Sequence, residues 1–416
     1  MMRFAARWLV LLLLGGSALA QETKSTAPVI PVEEYGTRRA TLRKVFEGGL
    51  MLMEADPLLP GIDNIDANTP VYDFFYLVGY HREGDVLALR ADGTAVLFAG
   101  DKAEEARSVS GIKDVRPSKD FEKFLKEELP KAKKAYTRLR QATKQTAQAA
   151  AEETDAKILS GGGKIAEALT LGRMMKSGPE LDMMRKASDA TNKAHLEAMR
   201  ACKPGMNEKE LQTLIENKFK AEGCDGLGFA SIVGSGKNGT ILHYCENTAE
   251  IPKGTLVVVD IGAAYRGYVS DITRTLPTDG KFSEAHRKAY QCVLDAQKAA
   301  EVLLKPGATF RQLHAAAAAV FKEREMTDWA YSHSKDRSVR HGLSHYVGLA
   351  VHDSGLYDRP FEPGVIITIE PGYYNKDDGY GIRIEDIYIV TADGFERMSA
   401  GAPREIDEIE KIMKKY

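Results

Sequence analysis

Two segments of this chain, 110 residues apart, share one pattern: Leu256-Val257-Val258-Val259-Asp260-Ile261-Gly262 and Ile366-Ile367-Thr368-Ile369-Glu370-Pro371-Gly372 (366 − 256 = 110). In each, a β-branched, apolar run meets a carboxylate, and a glycine follows two residues later. Shortly after, Tyr268-Val269-Ser270-Asp271-Ile272 is answered by Ile382-Arg383-Ile384-Glu385-Asp386. The helical patterns upstream repeat too. One runs from Glu180 to Ala201 and stops at Lys203-Pro204-Gly205; the other runs from Ser283 to Leu304 and stops at Lys305-Pro306-Gly307. Leu211 and Leu313 stand at the same offset from those lysines, and Asn207 with Glu210 and Thr309 with Gln312 have capping-box spacing. One match could be chance; four in the same order mark a duplicated α/β half.

The acids of that repeat carry the chemistry. Asp260, Asp271, Glu370 and Glu385 each sit inside or at the end of a strand-like apolar run, where a carboxylate is costly unless paired or bound to metal. Any one of them could belong to an ordinary salt bridge. Two halves folded face to face, however, would converge all four, and bare carboxylates at such distances repel. Two divalent cations would supply four compensating charges, so the acids are expected to form a metal cage.

Between the two glutamates' run and the first half lies His341-Gly342-Leu343-Ser344-His345-Tyr346-Val347-Gly348-Leu349-Ala350-Val351-His352-Asp353, with three of the chain's nine histidines. A histidine in an apolar segment is usually a hydrogen-bonded core residue. The cluster's place just upstream of Glu370 argues against that for His345 and His352, while His341 is read as core. His243, in Thr240-Ile241-Leu242-His243-Tyr244, stands near the corresponding place in the first half.

The rest of the chain bounds these expectations. A length of 416 residues suits two domains, and 28% charged residues with 44% hydrophobic ones suit a soluble globular protein. The formal charge of −2 becomes −4 without Arg3 and Arg7, which points away from a nucleic-acid partner. Those arginines, the apolar run Trp8 to Leu14 and Ala18-Leu19-Ala20 have the anatomy of a signal peptide over residues 1–20. The mature chain is therefore expected to begin near Gln21, to lack a membrane span and to be periplasmic or secreted. Residues 21–32 read as a polar tether. Cys202, Cys224, Cys245 and Cys292 show no CxxC spacing, and free thiols are favoured over any pairing. Val86 to Leu89 and Thr94 to Phe98 flank Ala91-Asp92-Gly93 as a β-hairpin, and Lys126 to Asp155 reads as one solvated helix. Ser160-Gly161-Gly162-Gly163 then breaks the pattern, placing a smaller domain over 33–160 and a larger one over 165–416.

Taken with Gly381-Ile382-Arg383-Ile384-Glu385-Asp386 and the histidine-rich run, these motifs resemble the pita-bread metallopeptidases, most closely the Xaa-Pro aminopeptidases. The resemblance is strongest over Leu171 to Met398; Asp73-Phe74-Phe75-Tyr76-Leu77-Val78-Gly79-Tyr80 is similar to the creatinase-type N-terminal domain. It implies an α/β (α+β) fold, a pita-bread catalytic domain with an internal pseudo-twofold repeat behind a smaller α/β domain. It also implies that Asp260 chelates one metal, Asp271 and Glu385 bridge two, and Glu370 and His345 complete the second site. His243 and His352 match histidines that contact substrate, and Arg383 an arginine that supports the carboxylates. Phe229-Ala230-Ser231 and the polar Tyr331 to Val339 depart from the family's pattern.

The expected chemistry is hydrolysis of peptides from the N-terminus with proline second, using a water activated by two cations. Glu370 would move its proton, and His243 and His352 would hydrogen-bond the attacked carbonyl. An oxygen-rich ligand set suits Mn2+, with Co2+, Fe2+ or Zn2+ open. Peptides are the expected partners, and the family admits a homodimer or homotetramer. A prolidase restricted to dipeptides has the same metal site. A metal-free relative such as creatinase would have lost acids that this chain keeps, and a methionine aminopeptidase would lack the long N-terminal part.

Overall fold

A computed structural model describes residues 29–46, 48–56, 71–100 and 103–414. The leader, its cleavage site and most of the tether lie outside these.

The first sheet has six strands: β1 (Leu50–Glu54), β2 (Val86–Arg90), β3 (Ala95–Phe98), β4 (Asp114–Arg116), β5 (Lys134–Arg138) and β6 (Lys157–Ser160), in the order β4-β3-β2-β1-β5-β6. β2 and β3 form the expected hairpin, with Val86 opposite Phe98 and Gly93 at φ 92° in the turn. β1 is buried on both faces because helices cover both. Leu50 and Leu52 join Phe98, Phe124 and Ala147, whereas Met51 and Met53 face the main core shared with the rest of the molecule.

One expectation fails here. Residues 126–155 are not a single helix but two, Phe121–Ala132 and Gln141–Thr154, with β5 between them. Lys133 at φ 60° ends the first helix, and Lys134–Arg138 then pairs in parallel with β1 and β6. Tertiary pairing overrides the helical composition.

The second part is built on the repeat. Helices Gly178–Ala201 and Glu208–Ala221 precede one group of strands, and Glu284–Glu301 and Phe310–Glu323 precede the other. Both expected capping boxes are present, and Ser177 with Glu180 forms another. The first group contains β7 (Gly226–Leu227), β8 (Ile232–Ser235), β9 (Leu256–Ile261), β10 (Ala263–Tyr265), β11 (Tyr268–Val269) and β12 (Ile272–Pro277). The second contains β13 (Ile366–Ile369), β14 (Gly372–Asn375), β15 (Tyr380–Arg383), β16 (Asp386–Val390) and β17 (Phe395–Arg397). β9 pairs antiparallel with β12 in one half, and β13 with β16 in the other.

The halves are stitched edge to edge. Glu385 N donates to Thr273 O (3.0 Å), and Arg383 N to Thr275 Oγ1 (3.0 Å). Asp271 and Glu385 therefore lie side by side, each in the break just before a strand, β12 or β16, rather than inside one. The break lets the chain turn and aim the carboxylate at the seam. All four cysteines are free thiols, and among the described residues no helix is long and apolar enough to cross a membrane.

Candidate metal centre

The seam opens into a cavity of about 330 Å³ walled by every residue singled out above: Asp260, Asp271, His243, His345, His352, Glu370, Arg383 and Glu385. His345 stands at the centre. Its Nε2 is 3.2 Å from Glu370 Oε1, 3.4 Å from Asp271 Oδ2 and 3.7 Å from Glu385 Oε1. Asp271, His345 and Glu385 each offer a ligand atom within 4.8 Å of the others. The ring is turned by its own backbone: Nδ1 lies 3.1 Å from Tyr346 O, which leaves Nε2 for the acids.

Strand periodicity supplies the next contacts. Thr368, two residues before Glu370 and on the same face, donates to Glu370 Oε1 (3.1 Å); Thr273, two after Asp271, donates to Glu385 Oε2 (2.6 Å). Arg383 Nη2 donates to Asp260 Oδ2 (2.7 Å) and to Leu242 O beside His243 (3.5 Å), while Nη1 donates to Tyr374 OH (3.2 Å). His352 packs edge-on against His345, with ring centroids 4.3 Å apart. The next residue, Asp353, accepts from Arg173 and from Lys176 (3.3 Å), and Arg173 also donates to Asp73 of the first sheet's domain (2.9 Å).

The donor set fits divalent cations. Asp260 Oδ1 and Asp271 Oδ1 are buried with no hydrogen-bond partner among the described residues, and both residues line the cavity. Burial first, then the charge of Glu385, raises Asp271 well above the usual carboxylate range and lifts Glu370 to about 7. Burial raises Asp260 as well, against the pull of Arg383. Burial would also raise Glu385, but His345, Arg383 and Thr273 hold it below its ordinary value. Burial opposes a charge on His345, yet Asp271, Glu370 and Glu385 raise its pKa well above normal. Such a cluster of mutually repelling acids around one imidazole is what bound cations would relieve.

Sequence reading missed part of this wall. His341, taken as core, lines the cavity with Nδ1 3.6 Å from Glu370 Oε2 and Nε2 2.9 Å from Tyr374 OH. Burial, then Arg383, lowers it to about 3, so it is neutral. Its spacing of four from His345 was the available signal. Phe229, Tyr357 and Tyr374 also line the cavity, and Phe229 falls in the stretch that departs from the family's pattern.

The profile of metallopeptidase family M24 matches residues 182–392. The chain is 37% identical over 262 residues to an Escherichia coli protein named Xaa-Pro aminopeptidase, covering 58% of this chain and 59% of that one. It thus spans less than two thirds of that relative. A solved structure titled proline aminopeptidase P II from Yersinia pestis superposes with a TM-score of 0.82 at 29% identity, covering 93% of this chain and 100% of that one. A zinc-substituted E. coli aminopeptidase P in complex with product gives a TM-score of 0.81 at 28% identity, covering 92% of this chain and 98% of that one.

Proposed function

The chain belongs to metallopeptidase family M24, with the family's pita-bread fold, and on that premise we propose that it is an Xaa-Pro aminopeptidase dependent on divalent metal. The observation that carries this reading is the convergence of Asp260, Asp271, His345, Glu370 and Glu385 on one cavity, with two buried carboxylate oxygens unpartnered among the described residues. Asp260, Asp271, His345, Glu370 and Glu385 would hold the two cations between them. Mn2+ suits this oxygen-rich set, and Zn2+ is supported by the zinc-substituted relative. When bound, the two ions supply a nucleophile from water near neutral pH.

The chain's own groups do the rest. Glu370 accepts a proton and delivers it to the leaving nitrogen. His243 and His352 donate to the charge that develops on the scissile carbonyl oxygen. Arg383 keeps Asp260 aimed inward and ties it to the backbone beside His243.

Proline in the second position is supported by the relatives' names and has a physical requirement of its own. A proline nitrogen has no hydrogen, so the site must recognise ring shape and protonate a tertiary nitrogen. The aromatic wall of Phe229, Tyr357 and Tyr374 offers a surface for that ring. Xaa-Pro-Xaa peptides should be cleaved with kcat/KM at least about tenfold above Xaa-Ala-Xaa peptides, roughly 1.4 kcal/mol of discrimination. Equal rates would make this a general aminopeptidase, and cleavage of dipeptides alone a prolidase. The leader-like residues 1–20 support export, and intact-mass measurement on protein from the native host should find Gln21 first.

A further inference from the structure

The helix that precedes each half sends one buried polar side chain toward the acids, and the two side chains occupy equivalent places in the repeat. The helix-ending Lys-Pro-Gly motifs are offset by 102 residues (305 − 203), and so are Gln297 and His195 (297 − 195 = 102). Both side chains are fully buried, at 0% exposure, where an amide or imidazole needs a reason to be.

Gln297 Nε2 donates to Ile369 O (2.9 Å) and to Ile384 O (3.1 Å), the carbonyls immediately preceding Glu370 and Glu385. Each carbonyl shares a rigid peptide plane with the acid that follows it. One nitrogen therefore fixes the two peptide planes from which both second-half carboxylates project. The two oxygens can be no more than 6.0 Å apart (2.9 + 3.1). The amide oxygen is used as well, accepting from Arg404 Nη1 (3.0 Å), and Arg404 pairs with Asp386 (2.8 Å), the residue after Glu385. The amide cannot rotate without breaking three bonds.

His195 holds a single carbonyl in the first half. Its Nε2 donates to Ile272 O (2.9 Å), the peptide that joins the residue after Asp271 to Thr273. Thr273 in turn donates to Glu385. A carbonyl only accepts, so the proton sits on Nε2, and the buried Nδ1 has no partner among the described residues.

We propose that Gln297 and His195 are positioning residues, one per half: Gln297 sets the separation of Glu370 and Glu385 by gripping the backbone before each, and His195 holds the backbone beside Asp271. Neither touches metal or substrate. The inference rests on the metal-cage reading above and adds the part of the fold that holds the cage to its dimensions.

The test is Mn2+ titration of the full-length apoprotein by calorimetry, with the electron paramagnetic resonance spectrum of the two-metal form and the apoprotein's Tm recorded in parallel. Gln297→Met keeps length and volume but loses both donors. It should weaken Mn2+ binding by about 10–100-fold and alter the spin-coupled spectrum. Gln297→His, which borrows the first half's residue and restores one donor, should recover part of the affinity. Gln297→Glu removes the donors with the least change of shape and serves if the Met variant does not fold; it should show the same weakening. His195→Gln should bind Mn2+ as the parent does, and His195→Leu should not. Parent-like affinity and spectrum in Gln297→Met, or in Gln297→Glu where the Met variant does not fold, would overturn the proposal. A parent chain that binds no Mn2+, Co2+ or Zn2+ would instead sink the metal-cage reading beneath it.

Discussion

Asp260 and Asp271 come from the first copy of the duplicated unit, Glu370 and Glu385 from the second, and the two pairs are held differently. In the second copy each carboxylate has a hydroxyl donor, Thr368 for Glu370 and Thr273 for Glu385, while His345 stands 3.2 Å from Glu370, 3.7 Å from Glu385 and 3.4 Å from Asp271 of the first copy. In the first copy each aspartate keeps a buried oxygen without a donor among the described residues. His341 and His345, each with a ring nitrogen within 3.6 Å of an acid, belong to the second copy. The arginines are exchanged. Arg383 of the second copy reaches Asp260 of the first, and Arg274 of the first reaches Asp386 of the second (2.5 Å). The first copy's acids are thus the ones that most need a cation, and this inequality can be attacked experimentally.

The largest effect should come from the two acids at the seam. Asp271→Asn and Glu385→Gln should each abolish turnover while circular dichroism shows a folded chain, and Mn2+ content should fall below two per chain. Activity surviving in Asp271→Asn but not in Glu385→Gln would mean the copies do not share the cage.

Next come the histidines at the rim, one from each copy. His243→Ala and His352→Ala should each lower kcat by roughly 10²-fold, the scale of losing a positioned donor. They should differ in metal content. His352 packs on His345 at 4.3 Å, so its loss should weaken Mn2+ retention, whereas His243→Ala should retain both ions. Metal loss from His243→Ala would make it a ligand and erase the distinction.

A stability effect follows at the residue after each seam acid. Asp386, after Glu385, is fully buried between Arg274 and Arg404; its counterpart after Asp271 is Ile272. Asp386→Leu leaves two buried guanidiniums without their anion and should cost about 3–5 kcal/mol in denaturant unfolding. Ile272→Val should cost only about 1 kcal/mol. Near-equal losses would mean that the buried ion pairs contribute nothing specific to the second copy.

Much of the centre was legible because its signals are local. An apolar run that meets a carboxylate is visible within seven residues, and its recurrence 110 residues later (366 − 256) needs no structure to detect. The expected hairpin and both capping boxes are equally local. What stayed hidden depends on distant partners. β5 was read as helix because its pairing with β1 joins Lys134–Arg138 to Leu50–Glu54. Gln297 looked like any residue of an amphipathic helix, since its acceptors lie 72 and 87 residues away. Arg173 gave no sign of linking Asp73 to Asp353, at separations of 100 and 180. His341 was misjudged for another reason: it is buried as a core histidine is, but the surface it is buried against is the cavity wall.

Below the loss at Asp386 comes the pH dependence of His195, which separates the copies because Gln297, its counterpart, cannot titrate. Burial, reinforced by the charge of Arg274, lowers His195 to about 3. In the unfolded chain a histidine titrates near 6.5. Between these values the unfolded state binds a proton that the native state refuses, so stability falls as pH drops from about 6.5 toward 3 and is fully present above that window. At pH 4.5 the loss attributable to this one ring is about 2–3 kcal/mol relative to pH 7. The cavity acids shift on folding as well, so the parent's own curve does not isolate this ring. The difference between parent and His195→Gln can, because the substitution keeps a donor for Ile272 O and removes only the proton-binding group. In paired urea melts of the apoprotein from pH 7 to 4.5, the variant should gain on the parent steadily as pH falls. Parallel curves would mean that His195 can take up a proton in place, and the first copy's grip on the backbone beside Asp271 would then be looser than the second copy's.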